Sequence, residues 1–369
     1  MLASHSDSTT TYSNKNMSKR TAKLLIYLVT AICVLGIAMH RQSANSEASN
    51  EPGTYKKHEG MVFHTVYHIQ YEGRHDYHDD IQQLFREFDG SLSMFNDTSI
   101  ISRINRNDTS VVVNNYVRTV LDKSLEVSRL TQGAYDITVA PLVNLWGFGF
   151  KNAEGVSQHI VDSILQFVGY EKIRLTADGH LIKDDPRVIL DASSIAKGYM
   201  CDVVADYLRS HNIHNFMVEI GGEITCGGHN SKGKRWSVGI NEPIEDSLQT
   251  SNVLRDIMLL TDCSVATSGN YRNFYYKDGR RYAHIIDPHT GYPAQDDILS
   301  STVIASNCIT ADALATSFMV LGSQRALRIL EADTTLMAYF ICSDPNSDQY
   351  KVIYSPKLKN MLSSQNKSH

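Results

Sequence analysis

Apolar residues recur along the chain at spacings that predict interspersed helices and strands. Spacings of three and four residues predict helices over 79–93, 116–131 and 161–168, and a further helix that begins near Ile195. A run of β-branched and aromatic residues predicts a strand over 61–71. Because no regular βαβ rhythm is present, the pattern favours an α+β fold over a doubly wound sheet. Further strands are predicted at 216–220, 235–241, 254–260, 301–305, 337–341 and 351–354.

A β-hairpin is predicted around the Asp-Gly dipeptide at 278–279, with strands over 274–276 and 281–286. Alternation along the second strand places His284 and Ile286 on the same face. His284 therefore lies just before a turn rich in Gly and Pro, where a side chain can be held rigidly beside a cleft. Imidazole suits general-base catalysis near neutral pH, so His284 is the candidate for proton transfer. The alternative is a half-buried strand histidine without catalytic role.

The composition is that of a globular protein and excludes some classes of function. The chain has 369 residues, of which 42% are hydrophobic and 20% are charged. Its net charge of -5, without a long basic run, argues against nucleic-acid binding. The six cysteines form no CxxC pair, which argues against a zinc site and a disulfide scaffold. If the domain is exported, the sequence also allows one or two disulfides between these cysteines.

The N-terminus predicts a membrane segment. Residues 1–23 are polar and end in a basic cluster, and an apolar run follows at 24–39. This order is typical of a signal peptide or a signal anchor, and the basic flank predicts a cytoplasmic N-terminus. After a polar linker at 40–58, we expect a domain over 59–356 on the periplasmic side of the inner membrane. A polar tail, 357–369, completes the chain.

The stretch DASSIAKGY, 191–199, predicts a helix start that binds an anion. Asp191, Ser193 and Ser194 are residue types that cap helix N-termini. Free N–H groups in the first turn, together with Lys197, would form an anion pocket. The alternative is an ordinary capped helix with a surface lysine.

Asp312 and Thr316 are candidate metal ligands. They lie at positions i and i+4 of a helix predicted over 310–321, capped by Thr310 and ended by Gly322, so their oxygens face the same way. Carboxylate and hydroxyl oxygens suit Mg²⁺, which keeps several waters and completes its shell with substrate phosphates. The same spacing is also common in helices that bind no metal.

Three other stretches carry weaker indications. The run 134–149 suits a loop or short helix against a cavity, or plain core. Gly221-Gly222 follows a predicted strand directly and indicates a close backbone approach or a bulge. The run 264–271 offers hydroxyls that would bind phosphate or carboxyl oxygens, or form a plain turn. The motifs GxGxxG, GxxxxGK[ST] and GxSxG do not occur, so Rossmann, P-loop and serine-hydrolase sites are unsupported.

Taken in order, these segments resemble the FAD:protein FMN transferase family, the ApbE family. The resemblance covers roughly residues 60–345, and its specificity lies in the order and spacing of the motifs. It implies a single large mixed domain of the ApbE type, similar to T-folds, after an N-terminal membrane segment. The matching segments are FHTVYHIQY, LSMFNDTSIISRIN, AYDITVAPLVNLWGFG, DASSIAKGYMCD, VEIGGEI, SVATSGNY, YAHIIDPHTGYP and ADALATSFMVLG.

The resemblance implies an exported, membrane-associated enzyme that binds FAD and Mg²⁺. Such an enzyme transfers FMN to a Thr or Ser hydroxyl of a partner protein as a phosphoester and releases AMP. The expected partners are subunits of the sodium-pumping NADH:quinone reductase and related electron-transfer complexes. The alternatives are a metal-dependent FAD pyrophosphatase that yields FMN and AMP, and a non-catalytic periplasmic FAD-binding protein.

The resemblance also implies roles for single residues. His284 matches the histidine proposed as the base in the family. Asp312 and Thr316 match its metal side-chain ligands, and Ser194 matches a residue whose backbone carbonyl contacts the metal. Eight positions match contacts to FAD: Phe63, Leu92, Ala134, Tyr135, Asp136, Asp191, Lys197 and Ile286.

The chain departs from the family pattern at three places. Ser193-Ser194 stand where many members have Gly-Gly, which leaves a backbone carbonyl ligand intact. Phe63-His64 stand where many have Met-Gly, so the contact to the flavin or adenine ring differs in detail. Asn270 stands where many have Asp.

Overall fold

The computed structural model describes residues 54–149, 155–243, 253–270, 274–277, 280–344 and 347–363. The predicted membrane segment, 24–39, and the Asp-Gly turn at 278–279 lie outside these ranges. Within them, no helix combines the length and apolar character needed to cross a bilayer. The five cysteines in these ranges are all free thiols.

Antiparallel strands and helices build one mixed α/β domain. The strands are β1 (Tyr55–Val62), β2 (Thr65–Glu72), β3 (Ile173–Leu175), β4 (Leu181–Lys183), β5 (Phe216–Ile220), β6 (Glu223–Gly227), β7 (Trp236–Asn241), β8 (Leu254–Leu260), β9 (Cys263–Gly269), β10 (Phe274–Lys277), β11 (Arg280–Ala283), β12 (Ile298–Ala305), β13 (Met337–Asp344) and β14 (Ser347–Tyr354). The helices are α1 (His78–Leu92), α2 (Ile100–Asn105), α3 (Asn115–Leu130), α4 (Ala140–Leu145), α5 (Gln158–Leu165), α6 (Ala196–Ser210) and α7 (Cys308–Ala332), with 3₁₀ turns at Tyr170–Lys172 and Pro356–Asn360.

The main sheet separates two hydrophobic cores. In the described part of the chain its order is β1-β2-β5-β6-β9-β12-β13-β14, and every neighbouring pair is antiparallel. The larger core lies on the face covered by helices, where Val303 packs in the same cluster as Leu314. The smaller core contains Ile304 and Trp236. The central strand β12 is therefore buried on both faces.

Helices α6 and α7 cross very closely at Gly198. A Cβ atom at Gly198 would lie 2.4 Å from the Cys308 carbonyl oxygen and 2.7 Å from Asp312 Cβ, so only glycine fits there. Asp202 of α6 then caps α7, because its carboxylate accepts hydrogen bonds from the N–H groups of Cys308 and Ile309, both at 2.8 Å. This crossing brings the first turns of both helices together.

Several predicted elements are confirmed. The helices predicted over 79–93 and 116–131 are α1 and α3, and the helix predicted from Ile195 is α6. Strands 216–220 and 254–260 have the predicted bounds.

The strand predicted over 61–71 is wrong in one respect, because it is a hairpin. β1 ends at Val62 and β2 begins at Thr65, with Phe63 and His64 as the turn. Both turn residues have positive φ, 50° and 60°, a conformation usually taken by Gly, Asn or Asp in two-residue hairpins. Without such residues the sequence does not indicate the turn. β1 also begins at Tyr55, inside the predicted linker.

Two predicted helix caps are wrong. The N-cap of α6 is Ile195, which makes no side-chain capping bond, instead of one of the polar residues before it. The N-cap of α7 is Asn307, whose Oδ1 accepts from the Thr310 N–H at 3.1 Å, so Thr310 lies inside the helix.

One predicted helix end is confirmed and one predicted strand end is wrong. Gly322 ends the first helical part of α7, as predicted, because its φ of 72° and ψ of 166° are not helical, and a second helical part continues to Ala332. The second hairpin strand ends at Ala283, short of Ile286, which makes an isolated bridge with Pro293. His284 thus follows a strand end and belongs to no strand.

Candidate active site

A cavity of about 1060 Å³ collects the residues that the sequence analysis selected. This volume is at the upper end of small-molecule sites, which span roughly 300–1,000 Å³. The cavity lies between the β1–β2 turn, the end of α1, the first turns of α6 and α7, and the segment after β11. All twelve predicted site residues line it: Phe63, Leu92, Ala134, Tyr135, Asp136, Asp191, Ser194, Lys197, His284, Ile286, Asp312 and Thr316.

One side of the cavity, the polar floor, consists of Lys197, Glu223, Ser268, Asp312 and Thr316. Lys197 Nζ lies 2.8 Å from Glu223 Oε1. The Asp312 carboxylate is 3% exposed, and its Oδ2 accepts a hydrogen bond from the Gly198 N–H at 2.9 Å. Thr316 Oγ1 and Ser268 Oγ are hydrogen-bonded at 3.1 Å. Each residue of the floor is thus fixed by a partner on another element.

The charges of the polar floor are strongly coupled. Burial lowers the pKa of Lys197, but Asp312 and Glu223 raise it by more, so its pKa lies above the ordinary value and the ammonium stays protonated. Burial raises the pKa of Glu223, and Lys197 opposes this rise. With both acids ionised, the floor carries two negative charges and one positive charge. It therefore favours an additional cation.

The loop before α6 is ordered by hydrogen bonds. Asp191 Oδ1 accepts from the Ser193 N–H at 2.8 Å, and the Asp191 N–H donates to the Ile137 carbonyl at 2.7 Å. The Ser194 hydroxyl donates to the Tyr135 hydroxyl at 3.4 Å. These bonds hold the turn that leads into Lys197 against the segment that precedes α4.

Asp136 lines the cavity, but its carboxylate shapes the local backbone. It accepts hydrogen bonds from the N–H and the hydroxyl of Thr138, at 2.8 and 2.6 Å, and from the Tyr170 N–H at 2.7 Å. The neighbouring Ala134 and Tyr135 are buried beside it. This segment therefore forms a firm wall of the cavity.

A second group of residues that line the cavity, the aromatic rim, consists of Phe63, His64, Phe95, Phe148 and His284. The Phe63 ring packs 5.5 Å from that of Phe88 in α1, measured between ring centroids. The rings of His64 and Phe95 are 4.9 Å apart, and those of Phe148 and His284 are 6.4 Å apart. Phe95 is 70% exposed, which places it where the cavity opens to solvent.

Sequence reasoning missed several of these residues. An indirect indication of Glu223 in the sequence was the preceding pair Gly221-Gly222. These glycines form the β5–β6 turn with φ angles of 63° and 100°. The hydroxyl-rich run 264–271 is mostly strand β9, and Ser268 reaches the floor from it. His64, Phe95 and Phe148 lie within the matching segments, but their residue types did not distinguish them from core aromatics.

The polar floor offers oxygen atoms that could hold a metal ion. In the residues that the structure describes, no three His, Cys, Asp or Glu side chains cluster as a metal site. The predicted set differs from such a cluster, because it combines the Asp312 carboxylate, the Thr316 hydroxyl and the Ser194 backbone carbonyl. These are hard oxygen donors of the kind that Mg²⁺ prefers.

The comparisons of the sequence with known proteins all indicate the same family. A family model described as the ApbE family matches residues 63–340. A Vibrio cholerae protein named FAD:protein FMN transferase is 38% identical over 315 residues, which cover 82% of this chain and 92% of that protein. A Haemophilus influenzae protein of the same name is 35% identical over 301 residues, covering 77% and 86%.

Solved structures agree with this similarity. The flavin transferase ApbE from Vibrio cholerae has a TM-score of 0.75 at 36% identity, covering 84% of this chain and all of that one (100%). The flavinyl transferase ApbE from Pseudomonas stutzeri has a TM-score of 0.73 at 27% identity, covering 84% and 96%.

Proposed function

The chain belongs to the ApbE family, and we propose that this enzyme moves FMN from FAD to a threonine or serine hydroxyl of a target protein, releasing AMP. The observation that supports this proposal is the convergence of Lys197, Asp312, Thr316 and His284 on one cavity. A floor with one ammonium and with hard oxygen donors for a cation suits a pyrophosphate, and an aromatic rim suits flat rings.

The donor set of the floor fits Mg²⁺. We assign Asp312, Thr316 and the Ser194 carbonyl as its ligands. When bound, Mg²⁺ would neutralise negative charge on the pyrophosphate, as metal ions do in phosphoryl transfer. The two buried carboxylates support this assignment, because one ammonium leaves them incompletely balanced.

The residues of the chain bind and orient the reactants. Lys197 places its ammonium near the pyrophosphate, close to the N-terminal N–H groups of α6, which add positive potential. His284 accepts the proton of the incoming hydroxyl. The hydroxyl oxygen forms a new bond to the phosphorus of the FMN half, while the bond from that phosphorus to the AMP oxygen breaks. AMP leaves with the electron pair of that bond.

We further propose the location and the partner. The apolar segment 24–39 holds the enzyme in the inner membrane with the domain on the periplasmic side. The target is a flavoprotein subunit of the sodium-pumping NADH:quinone reductase or a related electron-transfer complex.

The test incubates the purified full-length protein, in detergent, with FAD, Mg²⁺ and a candidate subunit. A fluorescent subunit band on a denaturing gel, with one AMP released per flavin attached, is expected. EDTA should abolish the band. The control is the same subunit with its acceptor threonine replaced by valine, which should stay dark.

Two other outcomes would contradict the proposal and support a different function. AMP release at the same rate without any acceptor, and no labelled band with any candidate, would indicate an FAD pyrophosphatase. Flavin binding without AMP release in the presence of Mg²⁺ would indicate a non-catalytic FAD-binding protein.

A further inference from the structure

Glu223 lies in the polar floor, and the mechanism above assigns it no role beyond its contribution to the charge of the floor. It is the first residue of β6, directly after the Gly221-Gly222 turn. A Cβ atom on Gly221 would lie 3.1 Å from Lys197 Cδ and 3.0 Å from the Thr65 side chain. The turn thus lets the backbone pass close to Lys197 and places Glu223 beside its ammonium.

The two oxygens of the Glu223 carboxylate differ in their surroundings. Oε1 forms the 2.8 Å ion pair with Lys197. Oε2 is buried, and no hydrogen-bond donor of the described residues reaches it. A buried carboxylate oxygen without a donor is costly, at about 1–3 kcal/mol or more for a charged group. Because Glu223 lines the cavity, a ligand bound there can supply the missing donor.

Lys197 is attracted by two carboxylates. Asp312 and Glu223 both stabilise its ammonium, and Glu223 provides the ion pair. Without a negative charge at Glu223, Lys197 would be drawn towards Asp312 alone. It would then compete with any cation for that carboxylate. The position of Lys197 and the availability of Asp312 therefore both depend on Glu223.

We propose that Glu223 is a positioning residue for a divalent cation: Oε1 holds Lys197 away from Asp312, and Oε2 accepts a hydrogen bond from a water that hydrates the cation. This inference rests on the proposed function, in which a divalent cation binds at Asp312 and Thr316. Mg²⁺ suits it, because this ion usually keeps several of its waters. Glu223 thus acts through other groups and does not touch the reacting atoms.

The test measures binding of Mn²⁺ to the full-length protein without FAD or target, from the electron paramagnetic resonance of free Mn²⁺. Glu223→Gln should weaken binding about 10- to 100-fold, as loss of an outer-shell partner of a metal does. Glu223→Asp keeps the charge and should recover part of the affinity. The matched control is Glu219→Gln on the other strand of the same hairpin, where Gln keeps an acceptor for the Gly222 N–H.

A double-variant cycle separates the two oxygens. Lys197→Met alone should tighten Mn²⁺ binding, because it removes a neighbouring cation. In that background Glu223→Gln should still weaken binding, since the effect of Oε2 does not depend on Lys197. No further weakening would overturn the role assigned to Oε2.

The remaining outcomes distinguish this inference from the proposed function. If the wild type transfers FMN and Glu223→Gln binds Mn²⁺ equally well, the positioning role is refuted and the function stands. If the wild type binds no Mn²⁺, both the metal assignment and the inference are refuted. Circular-dichroism melting checks that each variant is folded. If Glu223→Gln is unfolded, the test uses the Mn²⁺ affinity of Glu223→Asp instead.

Discussion

The polar floor and the aromatic rim line the same cavity but are built by different means. The floor residues lie on α6, α7, β6 and β9, and each is held by a partner from another element. The rim residues lie on turns and element ends, and two of the rim's side chains come from the positive-φ turn Phe63-His64. The floor is therefore fixed by regular structure, whereas the rim is fixed by local ring packing.

This difference indicates where the site can vary. Charge neutralisation needs fixed distances, so the floor tolerates little change. Ring stacking tolerates many aromatic or apolar partners.

The largest effect is expected for Asp312→Ala in the floor. Transfer should fall by more than about 100-fold, because even outer-shell partners of a bound metal cost 10- to 100-fold when lost. The measurement is the rate of subunit labelling at saturating FAD. Asp333→Ala, at the C-terminal end of α7, is the control and should keep the parent rate. Labelling by Asp312→Ala at the parent rate would show that the floor does not do the chemistry.

A large effect on rate alone is expected for His284→Ala in the rim. Removing a general base lowers turnover by about 10²–10⁴-fold, while the floor continues to bind FAD. FAD affinity from quenching of flavin fluorescence should therefore match that of the parent. His214→Ala, an exposed histidine between α6 and β5, is the control. Transfer at the parent rate would rule out His284 as the base.

A smaller effect, on stability, is expected for Gly198→Ala under the floor. The added methyl would clash with the Cys308 carbonyl and force α6 and α7 apart, which costs about 1–3 kcal/mol of unfolding free energy. Urea denaturation measures this change. The control Gly90→Ala in α1 meets no atom within 4 Å and should stabilise the protein by about 0.5–1 kcal/mol. Equal stability of the two variants would contradict the close crossing.

The smallest effect is expected for His64→Gly in the rim. Glycine relieves a positive φ that costs other residues roughly 1–2 kcal/mol, and its own flexibility offsets part of this gain. Unfolding free energy should therefore rise by about 0.5–1 kcal/mol, with transfer retained. Glu59→Gly in the extended strand β1 is the control and should destabilise. A tenfold loss of transfer in His64→Gly would show that the rim is as constrained as the floor.

Site residues were predicted best from the sequence where the side chain itself has a distinctive chemical function. Lys197, His284, Asp312 and Thr316 were selected by residue type and by family resemblance, and the structure brings them to one cavity. Long periodic helices such as α1 and α3 were also predicted correctly, because their apolar spacing is maintained over several turns.

What the sequence did not reveal depends on contacts between distant segments. The Phe63-His64 turn has no turn residues, so only pairing between β1 and β2 defines it. The role of Glu223 depends on its ion pair with Lys197, which lies on another element. The helical part of α7 after Gly322 was not predicted, and there the Ser323 N–H donates to Asp297 Oδ1 at 2.8 Å, a contact between distant segments.

The crossing of α6 and α7 also links ligand binding to folding. Lys197 and Asp312 belong to separate helices that meet only when Gly198 packs against the start of α7 and Asp202 caps it. A partly folded chain with either helix alone has no complete floor. We therefore expect FAD to bind the native state in preference to such intermediates, and saturating FAD to raise the melting temperature by mass action.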